Sequence, residues 1–162
     1  MKDNFAILFT LISGAWILWN YLFKRSFAPK VKMNISGNII GKDPYGQKIL
    51  WTNLIISNLG EVRLKAPAIE LTVRGIENTS KFKKGDATIL NQVNFDKRIY
   101  QENLIPKSWH YTFVDPGITQ EYQYSILIPR NIKYVLLEGK IIFSKNNFQL
   151  TSNILKIENE NQ

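Results

Sequence analysis

The sequence predicts an all-β domain, an antiparallel β-sandwich, carried behind a single N-terminal apolar helix. Three observations lead there. Residues Phe5–Phe23 (FAILFTLISGAWILWNYLF) carry no charge. From Val31 onward apolar residues recur with period two, and no helical period survives past Phe23. Turn clusters rich in Gly, Pro, Asn and Asp punctuate that stretch every ~8–12 residues, as in sandwiches.

The first element is the apolar segment. As a helix its nineteen residues would cover ~28 Å, close to the hydrocarbon thickness of a bilayer. Phe5 opens it, and Trp16, Trp19, Tyr21 and Phe23 gather toward its end, where amphipathic rings favour the headgroup level. The small residues Ser13, Gly14 and Ala15 lie mid-segment and bulky residues continue past them, which argues against a cleaved signal peptide. A retained single-pass anchor is expected. Lys24, Arg25, Lys30 and Lys32 follow it with no acid among them, so the positive-inside rule favours a cytoplasmic globular part; translocation of the β-domain behind a short N-terminus is the alternative. Ala6, Thr10, Ser13, Gly14 and Asn20 make a candidate helix-association face with small-xxx-small spacing, a route to homo-oligomers. The same residues also suit a solitary membrane helix with Asn20 at the interface.

A linker, residues 26–30, contains Pro29, which stops helical continuation. The sandwich is expected over 31–157 and a polar, frayed tail over 158–162. Val31, Met33 and Ile35 alternate with polar neighbours and predict the first strand. The turn cluster Gly41–Gly46 leads into a second, in which Leu50, Thr52, Leu54 and Ile56 share a face and Asn58 and Gly60 mark the exit. Ile69, Leu71 and Val73 predict a third strand closed by Gly75. Val93, Phe95 and Ile99 give a weaker signal. Trp109, Tyr111 and Phe113 alternate up to the turn Asp115-Pro116-Gly117, which directs His110 and Thr112 to the opposite face. Tyr122, Tyr124, Ile126 and Ile128 follow, then Val135, Leu137, Ile141 and Phe143 with Gly139 in phase, then 148–157. About eight strands result; a closed barrel is the alternative.

Two stretches resemble many bacterial immunoglobulin-like domains. One is Leu50, Thr52, Leu54 and Ile56 running into Asn58-x-Gly60; the other is Asp115-Pro116-Gly117-Ile118-Thr119 opening the strand that follows. The resemblance implies a membrane-anchored immunoglobulin-like β-sandwich. The anchor-plus-sandwich layout is also similar to that of late-embryogenesis-abundant sandwich proteins, whose Asn-Pro-Asn stands here as Asn58-Leu59-Gly60. Copper-chaperone assembly factors share the layout but bind metal through cysteines, and this chain has none.

The absence of cysteine also removes thiol nucleophiles, disulfides and cysteine zinc sites. His110 is the sole histidine and sits in no hydrolase, zincin or nucleotide-binding motif. Asp43 and Asp86 stand beside turns, while Glu61 and Glu70 suggest exposed strand edges. No catalytic, metal or cofactor residue is therefore expected, and the protein reads as non-enzymatic. The net charge of +8 invites a nucleic-acid reading, but half of it lies in Lys24, Arg25, Lys30 and Lys32 beside the anchor. No nucleic-acid partner is expected. Lys81, Phe82, Lys83 and Lys84 form a candidate polyanion contact, for an anionic lipid surface, or else a solvated loop. The leading expectation is a single-pass protein whose sandwich binds a membrane or membrane-associated protein as an accessory subunit. Anionic-lipid binding is the alternative, and an envelope glycan-binding module or enzyme a distant third.

Overall fold

The computed structural model describes residues 10–19, 30–77 and 93–157. Residues 10–19 form a helix, and nine strands follow: β1 Val31–Lys42, β2 Lys48–Asn58, β3 Leu64–Ala66, β4 Ala68–Glu77, β5 Lys97–Asn103, β6 Thr112–Val114, β7 Thr119–Ile128, β8 Ile132–Ser144 and β9 Asn147–Lys156. The domain is all-β and its pairings are antiparallel. β1-β2-β7 make one sheet, β5-β4-β8-β9 a second, and β3-β6 a two-stranded flap.

Period-two patterning explains the core. Leu50, Leu54, Ile56, Ile69, Leu71, Val73, Val135, Leu137 and Ile141, from β2, β4 and β8, are all essentially sealed from solvent. These three strands lie inside their sheets, so one full face of each is covered and alternation is clean. The two larger sheets meet closely: a Cβ on Gly139 of β8 would come 2.5 Å from Leu54 Cδ1 of β2, so any side chain there would have to displace the buried Leu54.

Two turns fix register. In Asp43-Pro44-Tyr45-Gly46 the Gly46 amide donates to Asp43 O (2.9 Å) and the Gln47 amide to Asp43 Oδ1 (2.7 Å). Gly46 takes φ +75°, which a side chain resists. Asp115-Pro116-Gly117-Ile118 has proline second and glycine third with φ +73°, and Ile118 N donates to Asp115 O at 3.1 Å; this is the type II pattern.

Several expectations change. Among the described residues nine strands replace about eight, because β3, at three residues, falls below the length at which alternation registers. Trp109 and Tyr111 do not belong to a strand, and Trp109, Tyr111 and Phe113 are exposed rather than inward. Glu70 is half-buried on β4, inside its sheet, where it meets Lys140 at 3.9 Å. Strand β5 starts at Lys97, so Val93 and Phe95 precede it, although Phe95 is buried. Among the described residues no helix is long and apolar enough to cross a membrane; the described helix covers ten residues of the Phe5–Phe23 segment. Phe5, Ala6, Asn20, Tyr21, Phe23, Lys24, Arg25, Lys81–Lys84, Asp86, residues 26–29 and the tail 158–162 lie outside the described residues.

Candidate functional site

The sandwich has two ends. One carries Lys30, where the chain enters β1, with Leu59 N donating to Lys30 O at 2.7 Å. The other carries the β1–β2 turn and the β7–β8 corner. The entry end holds the more unusual surface.

That surface is built on the flap. Period two sends Leu64 and Ala66 of β3 and Val114 of β6 into the core, each about 1% exposed. Lys65 and Phe113, directly opposite in register, must then face outward. The Arg63 guanidinium lies 4.5 Å from the centre of the Phe113 ring, and Lys65 Nζ lies 3.8 Å from that of Tyr111. Arg63 Nε also donates to Asp115 Oδ1 at 2.6 Å, which fixes the guanidinium over the ring. Cation–π contacts at exposed sites contribute ~0.5–1 kcal/mol each, enough to orient the pairs and little more.

Two asparagines hold this plate in place. Asn58, fully buried at the end of β2, donates from Nδ2 to Val62 O and Val114 O, both at 2.9 Å, and accepts from Gly60 N at 3.0 Å. It joins the β2 exit, the flap and the turn before β7. Asn103 Oδ1 accepts from Ile69 N (3.2 Å) and Ile105 N (3.1 Å), pinning the start of the 104–111 loop. Leu104 and Ile105 then bury themselves, and Trp109 emerges 61% exposed. Leu59 (63%) and Ile118 (50%) stand exposed at the same end. Five apolar or aromatic side chains and the cations Lys30, Arg63 and Lys65 thus share one end.

The opposite end has a cleft of about 700 Å³ lined by Gly37–Lys42, Lys48, Leu155, Lys156 and Ile157. Its lysines already have interaction partners. A third feature is β9. Gln149 and Asn153 point inward and donate from their amides to Val31 O (3.0 Å) and Ile35 O (3.2 Å), closing the seam against the edge of β1. Alternation then forces Phe148, Leu150 and Ile154 outward, each more than half exposed.

The residues singled out in the sequence are dispersed. His110 is exposed in the loop before β6. Among the described residues no three His, Asp or Glu side chains gather to hold a metal ion. Trp16 and Trp19 are exposed on the helix, as are Thr10, Ser13 and Gly14, and Ser13 Oγ donates to Thr10 O at 3.1 Å. Lys30 and Lys32 are exposed at the start of β1. Sequence reasoning missed Arg63 and Lys65. The available signal was Arg63-x-Lys65 set against Tyr111-x-Phe113, two alternations of complementary chemistry.

No protein-family model and no curated protein matches the chain. Solved structures do. The putative ApaA protein of Bordetella pertussis aligns at TM-score 0.51 and 12% identity, over 80% of this chain and 94% of that one. Spo0M, a sporulation control protein of Bacillus subtilis, aligns at TM-score 0.51 and 10% identity, over 80% of this chain and 50% of its own. The chain therefore spans half the length of Spo0M. β-Glucosidase 3B of Thermotoga neapolitana aligns at TM-score 0.37 and 13% identity, over 79% of this chain and 16% of that enzyme, too distant to bear on activity. The first two share the fold with this chain. At such identities nothing beyond fold carries across.

Proposed function

We propose that this protein is a single-pass, membrane-anchored, immunoglobulin-like sandwich that acts as a non-enzymatic binding or accessory subunit of a membrane complex. The uncharged Phe5–Phe23 segment is the anchor, and the basic residues after it favour a cytoplasmic domain. The division of strands, three against four, supports the immunoglobulin-like reading.

The observation that carries the binding role is the polarity of β9. An edge strand facing only water is normally guarded by charge or proline on its outer side. Here the amides are turned inward and Phe148, Leu150 and Ile154 outward. Their neighbours include the ion pairs Glu70–Lys140 and Arg74–Glu138, an apolar strip with a charged flank, which is the anatomy of a protein interface. The test is a photo-crosslinking residue at Leu150 or Ile154 in the full chain in its native membrane, with Gln123 on the other sheet as control. A discrete heterotypic adduct from β9 positions alone is expected. Equal labelling from Gln123, or no adduct, would remove the reading.

A further inference from the structure

We infer that the entry end of the sandwich is a second membrane contact, an interfacial seat that rests on an anionic lipid surface through Arg63, Lys65, Trp109 and Ile118. This deepens the anchor reading above and rests on it. The ligand is the lipid headgroup region; the residues differ from the Lys81–Lys84 stretch that the sequence alone suggested.

Placement comes first. Val31 pairs with Asn58, and Leu59 bonds to Lys30, so this end is where the chain arrives from the apolar segment. The chain from Phe23 to Lys30 reaches at most ~25 Å even when fully extended. A ten-residue strand adds ~33 Å, which sets the opposite end beyond contact range when β1 stands away from the bilayer. Whatever chemistry the entry end displays, a bilayer is the surface it meets at highest local concentration.

Its chemistry suits that surface. Trp and Tyr concentrate at the headgroup level because an apolar ring with one polar atom matches the gradient there. Trp109 and Tyr111 are such rings, and Leu59 and Ile118 add purely apolar tips. Lys30 and Lys65 supply the positive charge that an anionic leaflet attracts, while Arg63, paired with Asp115 at 2.6 Å, offers its remaining guanidinium N–H groups to headgroup phosphates. A single-stranded nucleic acid would need free ring faces for stacking. One face of Phe113 is covered by Arg63 and one face of Tyr111 by Lys65, which favours lipid.

The cysteine-free chain permits single labels. Full-length protein is reconstituted into phosphatidylcholine vesicles with and without phosphatidylglycerol, and a fluorophore is attached at Ile118→Cys, Tyr45→Cys or Ile17→Cys. Quenching by headgroup-labelled and chain-labelled nitroxide lipids reports contact. We expect quenching at residue 118 by headgroup probes only when phosphatidylglycerol is present, none at residue 45, and chain-probe quenching at residue 17 in both. Lys65→Glu should lower the docked-to-undocked ratio at residue 118 by about fivefold or more, the loss of one lysine near an anionic surface. Quenching at residue 17 but not at 118 overturns the seat and leaves the anchor. Absence of quenching at residue 17 overturns both. Protection of the residue 118 label by single-stranded RNA, abolished by Lys65→Glu and indifferent to lipid, would assign the surface to nucleic acid instead.

Discussion

The two ends of the sandwich are held by opposite strategies. The entry end is stitched by asparagine side chains: Asn58 satisfies Gly60 N, Val62 O and, across the fold, Val114 O at the end of β6, while Asn103 accepts from Ile69 N and Ile105 N. The opposite end is stitched locally, by Asp43 closing its own turn through backbone and side-chain bonds to Gly46 and Gln47. Long-range stitching lets the entry end display aromatic rings without loosening. Local stitching needs nothing from the rest of the molecule, and correspondingly shows only Tyr45 as an exposed aromatic among the described residues there.

Removing the long-range stitch should have the largest effect. Asn58→Ala removes the side-chain partner of the buried Val114 carbonyl and of the part-buried Val62 carbonyl and Gly60 amide, and should lower unfolding free energy by about 3 kcal/mol in urea titration of the full chain. Hydrogen exchange should accelerate at Gly60, Val62, Val114 and Ile118 and stay slow at Gly46. Uniform acceleration at both ends would mean the ends are not separable.

The two turn glycines sharpen the contrast at smaller scale. Gly46→Ala and Gly117→Ala should each cost ~1 kcal/mol for forcing a side chain to positive φ. A Cβ at 46 would also lie 2.5–2.7 Å from the Arg130 guanidinium, whereas nothing lies within 4 Å of one at 117. Gly46→Ala should therefore be the costlier by a few tenths of a kcal/mol, since Arg130 is exposed and swings aside. Equal Tm losses would show that Arg130 contributes nothing to the turn.

On the entry plate, a double-mutant cycle over Arg63→Ala and Phe113→Ala should return ~0.5 kcal/mol of coupling. The Lys133–Tyr134 pair, with Nζ 5.7 Å from the ring centre, should return less. Equal couplings would make the plate an ordinary surface.

The smallest effect lies between the ends. Burial, reinforced by its hydroxyl donating to the Glu102 carboxylate, raises Tyr100 to about 12 from the usual 10. The folded state then holds a proton that the unfolded chain releases, so stability is complete below pH 10 and declines between 10 and 12. Ultraviolet titration of tyrosinate should find a late-titrating component that shrinks by one tyrosine in Tyr100→Phe, with the alkaline decline of Tm correspondingly shallower; burial holds Tyr122 above the usual value as well, so that component does not vanish.

The core strands were legible because β2, β4 and β8 lie inside their sheets, where every inward position meets another sheet. Leu50, Thr52, Leu54, Ile56 and Asn58 all went where alternation sends them, down to 0–1% exposure. The same rule misplaced Trp109, Tyr111 and Phe113. Their alternation reports that they share a side, not which side, and Val114 rather than Phe113 takes the core. The candidate site was correspondingly half visible: its aromatic residues stood out, but their outward direction and their cations did not.

The sequence by itself determined the all-β class, the central strands, the two proline–glycine turns and the concentration of charge after the apolar segment. Each follows from local chemistry: pleat periodicity, fixed φ at proline, positive φ at glycine. Only the tertiary structure decided which face of the flap and of β9 looks outward. That choice depends on what lies across the gap. The bare carbonyls of Val31 and Ile35 on β1 draw in Gln149 and Asn153, and the apolar side of β9 is left to the surface as the consequence.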